Sequence, residues 1–352
     1  MESEKKIKEE LTELLKTKTA VLMVGSGSSS MVGYPGWEQL VIKLRDKFYS
    51  EFQDLGTSGL GLAYSAQIIK KKAFDDEKID QYHRFLSNLF QPDVNSQNCE
   101  NFHISLVKLG FCGIVTTNYD LVLEIALKSA FPNLDHCRHI DLCSERSYLV
   151  LPFLRSLTPE NKHHLLLHLH GCFDAPENLI LTHDDYRRKY GLLGEKDDGK
   201  QNNKGLDSLH RKIIWGLLSF HPLVFVGFSL KDPFFLEMIR LVQADFKMEG
   251  ENIHYAIMGY LLDEDKRETQ DILMDLGISP LFYQIIENPD QTRDYGRLKD
   301  LIRQIENDLI QFSPDQLPPE DTSGHSESDT NVTDIVAPFL TLDKMNEITG
   351  GD

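Results

Sequence analysis

Four short apolar runs punctuate this chain, and each ends in a glycine-bearing or polar segment. They are TAVLMV before GSGSS (19–29), GIV before TTNYD (113–120), HHLLL before HLHG (163–171) and PLVFV before GFSLKDP (222–233). Runs this short, without apolar and polar alternation, fit strands covered on both faces, as in parallel sheets. Helical patterns lie between them, which implies an α/β fold: a doubly wound, mostly parallel Rossmann-like sheet. In such sheets ligands lie beyond the carboxyl ends of the strands, which is where the four polar segments would gather.

The remaining chain fits that frame. Ile7, Leu11, Leu14 and Leu15 recur at helical spacing, and Trp37, Leu40, Val41, Leu44, Phe48 and Phe52 form one apolar stripe. From about 57 to 110 the pattern is helical throughout, which reads as an inserted helical subdomain. LVLEIALKSAF is a helix, 132–162 is irregular, and NLILTHDDY reads as a short strand entering a helix. Residues 187–212, glycine- and lysine-rich, read as a mobile surface loop. NIHYAIMGY and SPLFYQII are two further strands around a helix at 263–276. Residues 1–312 therefore form one body. The segment 313–352, with nine acidic residues and one lysine, reads as a tail that is disordered or docks on a partner through IVAPFLTLDKM.

Composition narrows the function. With 37 basic against 55 acidic residues the formal charge is −18, which opposes general binding to nucleic-acid backbone or anionic membrane. Five cysteines without a CxxC pair oppose both a disulfide framework and a four-cysteine zinc site. The charged amino end is not a signal peptide, and no run reaches the roughly 20 apolar residues of a membrane span, so a cytoplasmic location is expected. His136, Cys137 and His139 in DHCRH have no complementary pair at metal-binding spacing, so no metal is expected.

The glycine loop after the first strand suits a phosphate, because it lets backbone N–H groups approach and leads into a helix. It is not the dehydrogenase fingerprint, since the next glycine after Gly25 and Gly27 is Gly33, six residues on. Asn118, Asp120 and His170 stand at the ends of the second and third runs. Asp120 and Asp232 also sit where helices begin, so N-capping accounts for them equally well. His168 reads as structural, with a supporting partner of the site as the alternative because it shares a strand face with His170, and Tyr186 reads as a helix-packing residue.

Taken in order, Gly25-Ser26-Gly27-Ser28-Ser29, Gly33-Tyr34-Pro35, Thr116-Thr117-Asn118-Tyr119-Asp120, His170-Gly171 and Gly227-Phe228-Ser229 resemble the sirtuin superfamily, more closely its bacterial sirtuin-like NADase branch of anti-phage effectors. The resemblance covers roughly 19–290 and implies an NAD+ glycohydrolase that takes NAD+ as its substrate. By it, Gly25, Ser26, Gly27 and Ser28 would hold the pyrophosphate, with Gly227 and Ser229 beside the phosphate and adenosine. Asn118 and Asp120 would surround the nicotinamide ribose and carboxamide, Thr117 would be a further cofactor-binding residue, Pro35 would belong to a flap over nicotinamide, and His170 would be a base facing the ribose hydroxyls. Such a histidine, with pKa near ~6.5, accepts a proton at cellular pH.

Two departures separate the chain from the deacylase branch. Cys172 is the last cysteine after His170-Gly171, so that branch's zinc module is missing, and Pro35-Gly36-Trp37-Glu38 replaces its Pro-Asp-Phe-Arg. Both disfavour peptide deacylation, and a non-catalytic module sensing NAD or ADP-ribose is the other alternative. Unrestrained NAD+ hydrolysis is toxic to its host, so the resemblance also implies a homo-oligomer or an activating partner, such as a HerA-type ATPase or another defence-system subunit.

Overall fold

The apolar runs become strands. The computed structural model describes residues 2–56, 59–92, 99–133, 139–143, 148–160, 166–191, 208–230, 232–247, 251–288 and 293–311. Seven strands share one sheet: β1 (Val21–Val24), β2 (Gly113–Thr116), β3 (His139–Asp141), β4 (Leu166–His168), β5 (Leu223–Val226), β6 (His254–Tyr260) and β7 (Ile278–Gln284). Their order is β3-β4-β2-β1-β5-β6-β7, and every neighbouring pair is parallel. A separate antiparallel ribbon joins β8 (Ile286–Glu287) to β9 (Arg293–Asp294).

Thirteen helices accompany them among the described residues. In the amino-terminal half these are α1 (Glu2–Lys16), α2 (Ser26–Ser29), α3 (Trp37–Phe48), α4 (Gly59–Asp75), α5 (Ile79–Phe90), α6 (Asn101–Lys108) and α7 (Val122–Ala130). The rest are α8 (Val150–Arg155), α9 (His183–Tyr190), α10 (Leu209–Phe220), α11 (Pro233–Phe246), α12 (Asp263–Asp275) and α13 (Gly296–Gln311). None of the described helices is long and apolar enough to cross a membrane.

Strand alternation divides the core into two layers. Val21, Met23, Val115, Leu167 and Phe225 face one side, under α8, α10 and α11. Leu22, Val24, Ile114, Leu166 and Val226 face the other, under α1, α6, α7 and α13. Covering both faces is what makes the central strands apolar without alternation, and each fully buried Leu, Val or Phe contributes about 1.5–3 kcal/mol. A third cluster joins α3, α4 and α5 through Leu40, Leu44, Ile69, Tyr82 and Leu86, and Tyr119, Leu179 and Leu181 tie it to the sheet.

Local readings differ from the structure in four places. Residues 178–182 form no strand: Ile180 N–H donates once, to His170 O at 3.0 Å, while Leu179 and Leu181 turn into the helical cluster. Burial of a linker from two sides produced the strand-like pattern. The stretch read as irregular supplies β3 and α8, an edge strand and a helix too short for periodicity to reveal. The helix from Trp37 ends at Phe48, and Phe52 instead stacks on Tyr49 at 5.6 Å. Of the helical stretch, α6 packs with the sheet, not with α3–α5. Residues 192–207, most of the expected mobile loop, lie outside the described residues, as do His136, Cys137 and the tail from 313.

Candidate active site

The sheet order creates a switch point between β1 and β5. The chain leaves β1 toward β2 on one side, and leaves β5 toward β6 on the other. The loops after these two strands interlock there. Gly27 N–H donates to Gly227 O at 2.9 Å, and Gly25 N–H to Val226 O at 3.0 Å. A Cβ on Gly25 would lie 2.6 Å from Gly227 O. Gly227 has φ +63°, a conformation that favours glycine, and a Cβ there would lie 2.5 Å from Ser28 N. These glycines therefore answer to loop-on-loop packing first. The amides of Gly25, Gly27 and Ser28 are spent on Val226 O, Gly227 O and Gly25 O, which leaves Ser26 as the residue of this loop best placed to meet an anion.

Beyond this junction opens a cavity of about 1190 Å³, lined by all four strand-end segments. Gly25, Ser26, Gly27, Pro35, Thr117, Asn118, Asp120, His170, Gly227 and Ser229 all line it. Ser28 does not. Its side chain is buried, and its hydroxyl turns back to donate to Gly25 O at 3.0 Å. The Gly33–Pro35 segment is tied down, since Tyr34 N–H donates to Ser29 O at 3.2 Å and its ring stacks on Phe90.

The end of β2 carries the most constrained polar group. Thr116 Oγ1 donates to Val24 O at 2.9 Å and accepts from Asn118 N–H at 3.0 Å. The Asn118 amide group donates to Gly25 O at 3.2 Å and to Ser29 Oγ at 2.9 Å. Its Oδ1 is buried without a hydrogen-bond partner among the described residues. Two residues on, Asp120 Oδ1 accepts from Val122 N–H at 3.1 Å at the start of α7. Burial raises the Asp120 carboxyl to about 6, against the opposing hydrogen bonds from Val122 and Ser29. Asp120 thus accepts from the first residue of α7 and lines the cavity at once.

Residues 113–281 match the family described as a SIR2-like domain. This stretch, just under half of the chain, is similar to SIR2-like domains. The match begins at β2, so it contains Asn118, Asp120, His170, Gly227 and Ser229 but not the Gly25 loop, which the fold brings to the same cavity. The chain is also similar to Defense-associated sirtuin 2 of Bacillus subtilis, at 24% identity over 246 residues and 67% of this chain. That alignment covers 21% of the relative, so the chain spans about a fifth of its length.

Within the matched stretch His170 differs electrostatically from the expectation of an ordinary histidine. Burial, with His210 nearby, lowers its pKa to about 3, so the ring is neutral at cellular pH. Its Nε2 lies 2.7 Å from the Tyr190 hydroxyl, and its ring meets Tyr186 edge-on at 5.4 Å. His168 does not share its surroundings: β4 ends at His168, so alternation does not carry on to His170. The His168 ring instead meets Asn118 O and Glu124, on the opposite layer.

Two cavity residues were not singled out by sequence as site residues in their own right. Tyr186 stacks on Phe234 at 5.1 Å and hydrogen-bonds the Asp232 carboxylate, and both Tyr186 and Asp232 line the cavity. Asp232 also caps α11, accepting from Phe234 N–H at 2.9 Å and Phe235 N–H at 3.3 Å, and burial raises its pKa. A tyrosine one turn into HDDYRRKY gives no periodic signal of its own; only the packing of α9 beside α11 turns it inward. No group of three or more His, Cys, Asp or Glu side chains able to hold a metal occurs among the described residues.

Proposed function

We propose that the chain is an NAD+ glycohydrolase, which breaks the bond between nicotinamide and ribose C1′ to release nicotinamide and ADP-ribose. The observation that carries this reading is the Asn118 side chain. Its donors are spent on Gly25 O and Ser29 Oγ, so Oδ1 is a fixed, buried and unsatisfied acceptor in a residue that lines the cavity. A buried acceptor without a partner is costly unless a ligand hydroxyl or a water satisfies it. A ribose hydroxyl or the attacking water meets that need.

The chemistry suits the neighbours. Nicotinamide leaves as a neutral base, so no general acid is required, while positive charge grows on the ribose. An oxygen acceptor at Asn118 and a carboxylate at Asp120, both buried side chains, favour that charge. Neutral His170, held by Tyr190, orients a hydroxyl, and the proton of the attacking water is released to solvent. Ser26 and Ser229 flank the pyrophosphate, and Gly227, Gly25 and Gly27 hold the two loops in register beneath it.

Similarity to a defence-associated sirtuin supports a role as a defence effector that depletes NAD+ once a partner or trigger acts. Further copies of this chain, or an ATPase subunit of the HerA type, are the partners that fit. The test is mass spectrometry of products after incubation with NAD+, alone and with the products of neighbouring genes. Nicotinamide and ADP-ribose are expected, with Asn118→Ala inactive. NAD+ binding without cleavage in every combination would leave a sensing module, acyl-ADP-ribose from an acyl-lysine peptide would mark a deacylase, and equal activity of Asn118→Ala would refute the assignment.

A further inference from the structure

His168 is fully buried at the end of β4 and does not line the cavity. Its Nδ1 lies 2.8 Å from Asn118 O and its Nε2 2.7 Å from Glu124 Oε1. A backbone carbonyl only accepts, so Nδ1 carries a hydrogen and donates it to Asn118 O. Nε2 then either donates a second hydrogen to the Glu124 carboxylate or accepts the proton that Glu124 keeps. Two protons are shared across the pair in both arrangements, and Nδ1–H stays on Asn118 O.

The same residue is held from its other side, since Asn118 N–H donates to Thr116 Oγ1. Both peptide planes flanking the Asn118 Cα are therefore tied, and the direction of its side chain follows. The groups that face His168 are Glu124 from α7, Asp120 from the loop after β2, and Asp141, its register partner in β3. Cys172, on the segment after β4, closes the arrangement by donating its thiol to Tyr119 O. Burial alone would discharge the imidazole, but the Glu124 charge and hydrogen bond, with Asn118 O and Asp120, outweigh it and raise its pKa.

We propose that His168 and Glu124 form a positioning pair that holds Asn118, and through it the acceptor Oδ1, in the geometry the cavity requires. The inference rests on the reading that Asn118 acts on NAD+. Outer partners that fix the orientation of a functional side chain typically matter ~10–100-fold when removed.

The experiment compares His168→Leu, His168→Asn and Glu124→Gln in the full chain. Leucine removes the donor to Asn118 O and strands the Glu124 carboxylate, whose Oε2 already has no partner among the described residues. An asparagine amide reaches where Nδ1 stood, and so restores the donor to Asn118 without the charge. Expected is a kcat for nicotinamide release ~10–100-fold lower in His168→Leu with KM little changed, and recovery of most of it in His168→Asn. Glu124→Gln, which leaves Nδ1–H in place, stays nearer wild type than His168→Leu. Equal losses in the leucine and asparagine variants, or no loss in leucine, would overturn the proposal.

A second readout needs no turnover. In full-length protein labelled with 15N-histidine, the His168 signal at pH 7 is expected to show a protonated Nδ1, identified by its loss in His168→Asn. In protein labelled with 15N-asparagine, the Asn118 side-chain amide signals are expected to move in His168→Leu and to stay near their wild-type positions in His168→Asn. A His168 ring protonated on Nε2 alone would overturn the geometry. If the wild type releases no nicotinamide under any condition, the NAD+ reading fails by itself, and these spectra still decide the positioning.

Discussion

Replacing Asp120 by asparagine separates what this residue does for the fold from what it does for the cavity. The carboxyl sits almost fully buried, and burial moves its pKa from the ordinary 3.8 to about 6. Below pH 4 the group is protonated in both the folded and unfolded chain and has no effect of this kind. Between 4 and 6 the unfolded chain gives up its proton while the folded one keeps it, so stability falls as pH rises. Above 6 the full cost of a buried carboxylate is present, on the order of 3 kcal/mol at ~1.36 kcal/mol per pH unit. Asparagine keeps an oxygen for Val122 N–H and cannot ionise. Urea unfolding of wild type and Asp120→Asn across pH 4 to 8 is therefore expected to give similar stabilities at the acid end. Toward pH 7 the variant should become more stable by up to about 3 kcal/mol. Nicotinamide release should behave oppositely, rising through about pH 6 in wild type and low at every pH in the variant. A stability difference that does not change with pH, or one that favours wild type at pH 7, would refute the reasoning.

Other outcomes follow from the same geometry. Gly227→Ala forces a side chain into φ +63° and toward Ser28 N, so urea unfolding should show a loss of at least about 1–3 kcal/mol, with weaker NAD+ binding by calorimetry. His170→Ala should lower kcat ~10–100-fold by removing the ring that orients a hydroxyl, and the acid limb of the wild-type pH profile should follow Asp120, because His170 protonates only near about 3. Dialysis against a strong chelator should leave both the urea midpoint and nicotinamide release unchanged; a drop in either would reveal a metal site.

Much of the cavity was legible because its elements are local. Met23–Gly25, Val115–Asn118 and Phe225–Gly227 each carry their own signal: a run covered on both faces, then residues suited to a turn. The resemblance to sirtuin-like sequences added the order of those segments, and the parallel sheet puts their carboxyl ends on one edge. Other features left no such trace. The three-residue edge strand His139–Asp141 is too short for a period, and Leu179–Leu181 mimics a strand because helices and sheet bury it from two directions. Ser28 fits a phosphate loop by sequence, yet the one-turn helix Ser26–Ser29 rotates its hydroxyl back onto Gly25 O.

The alternation of strands and helices, the glycine-bearing strand ends and the polar residues placed there are all local properties of the chain, since burial on two faces and backbone freedom belong to short segments. Tertiary structure alone decided the electrostatics and the partnerships. His170 is neutral because Tyr190 and His210 close around it, Tyr186 enters the cavity because α9 packs beside α11, and Glu124 reaches His168 across 44 residues of chain. The strength of a charge or a hydrogen bond depends on how far water is excluded and on what stands opposite, and both are fixed only when distant segments meet.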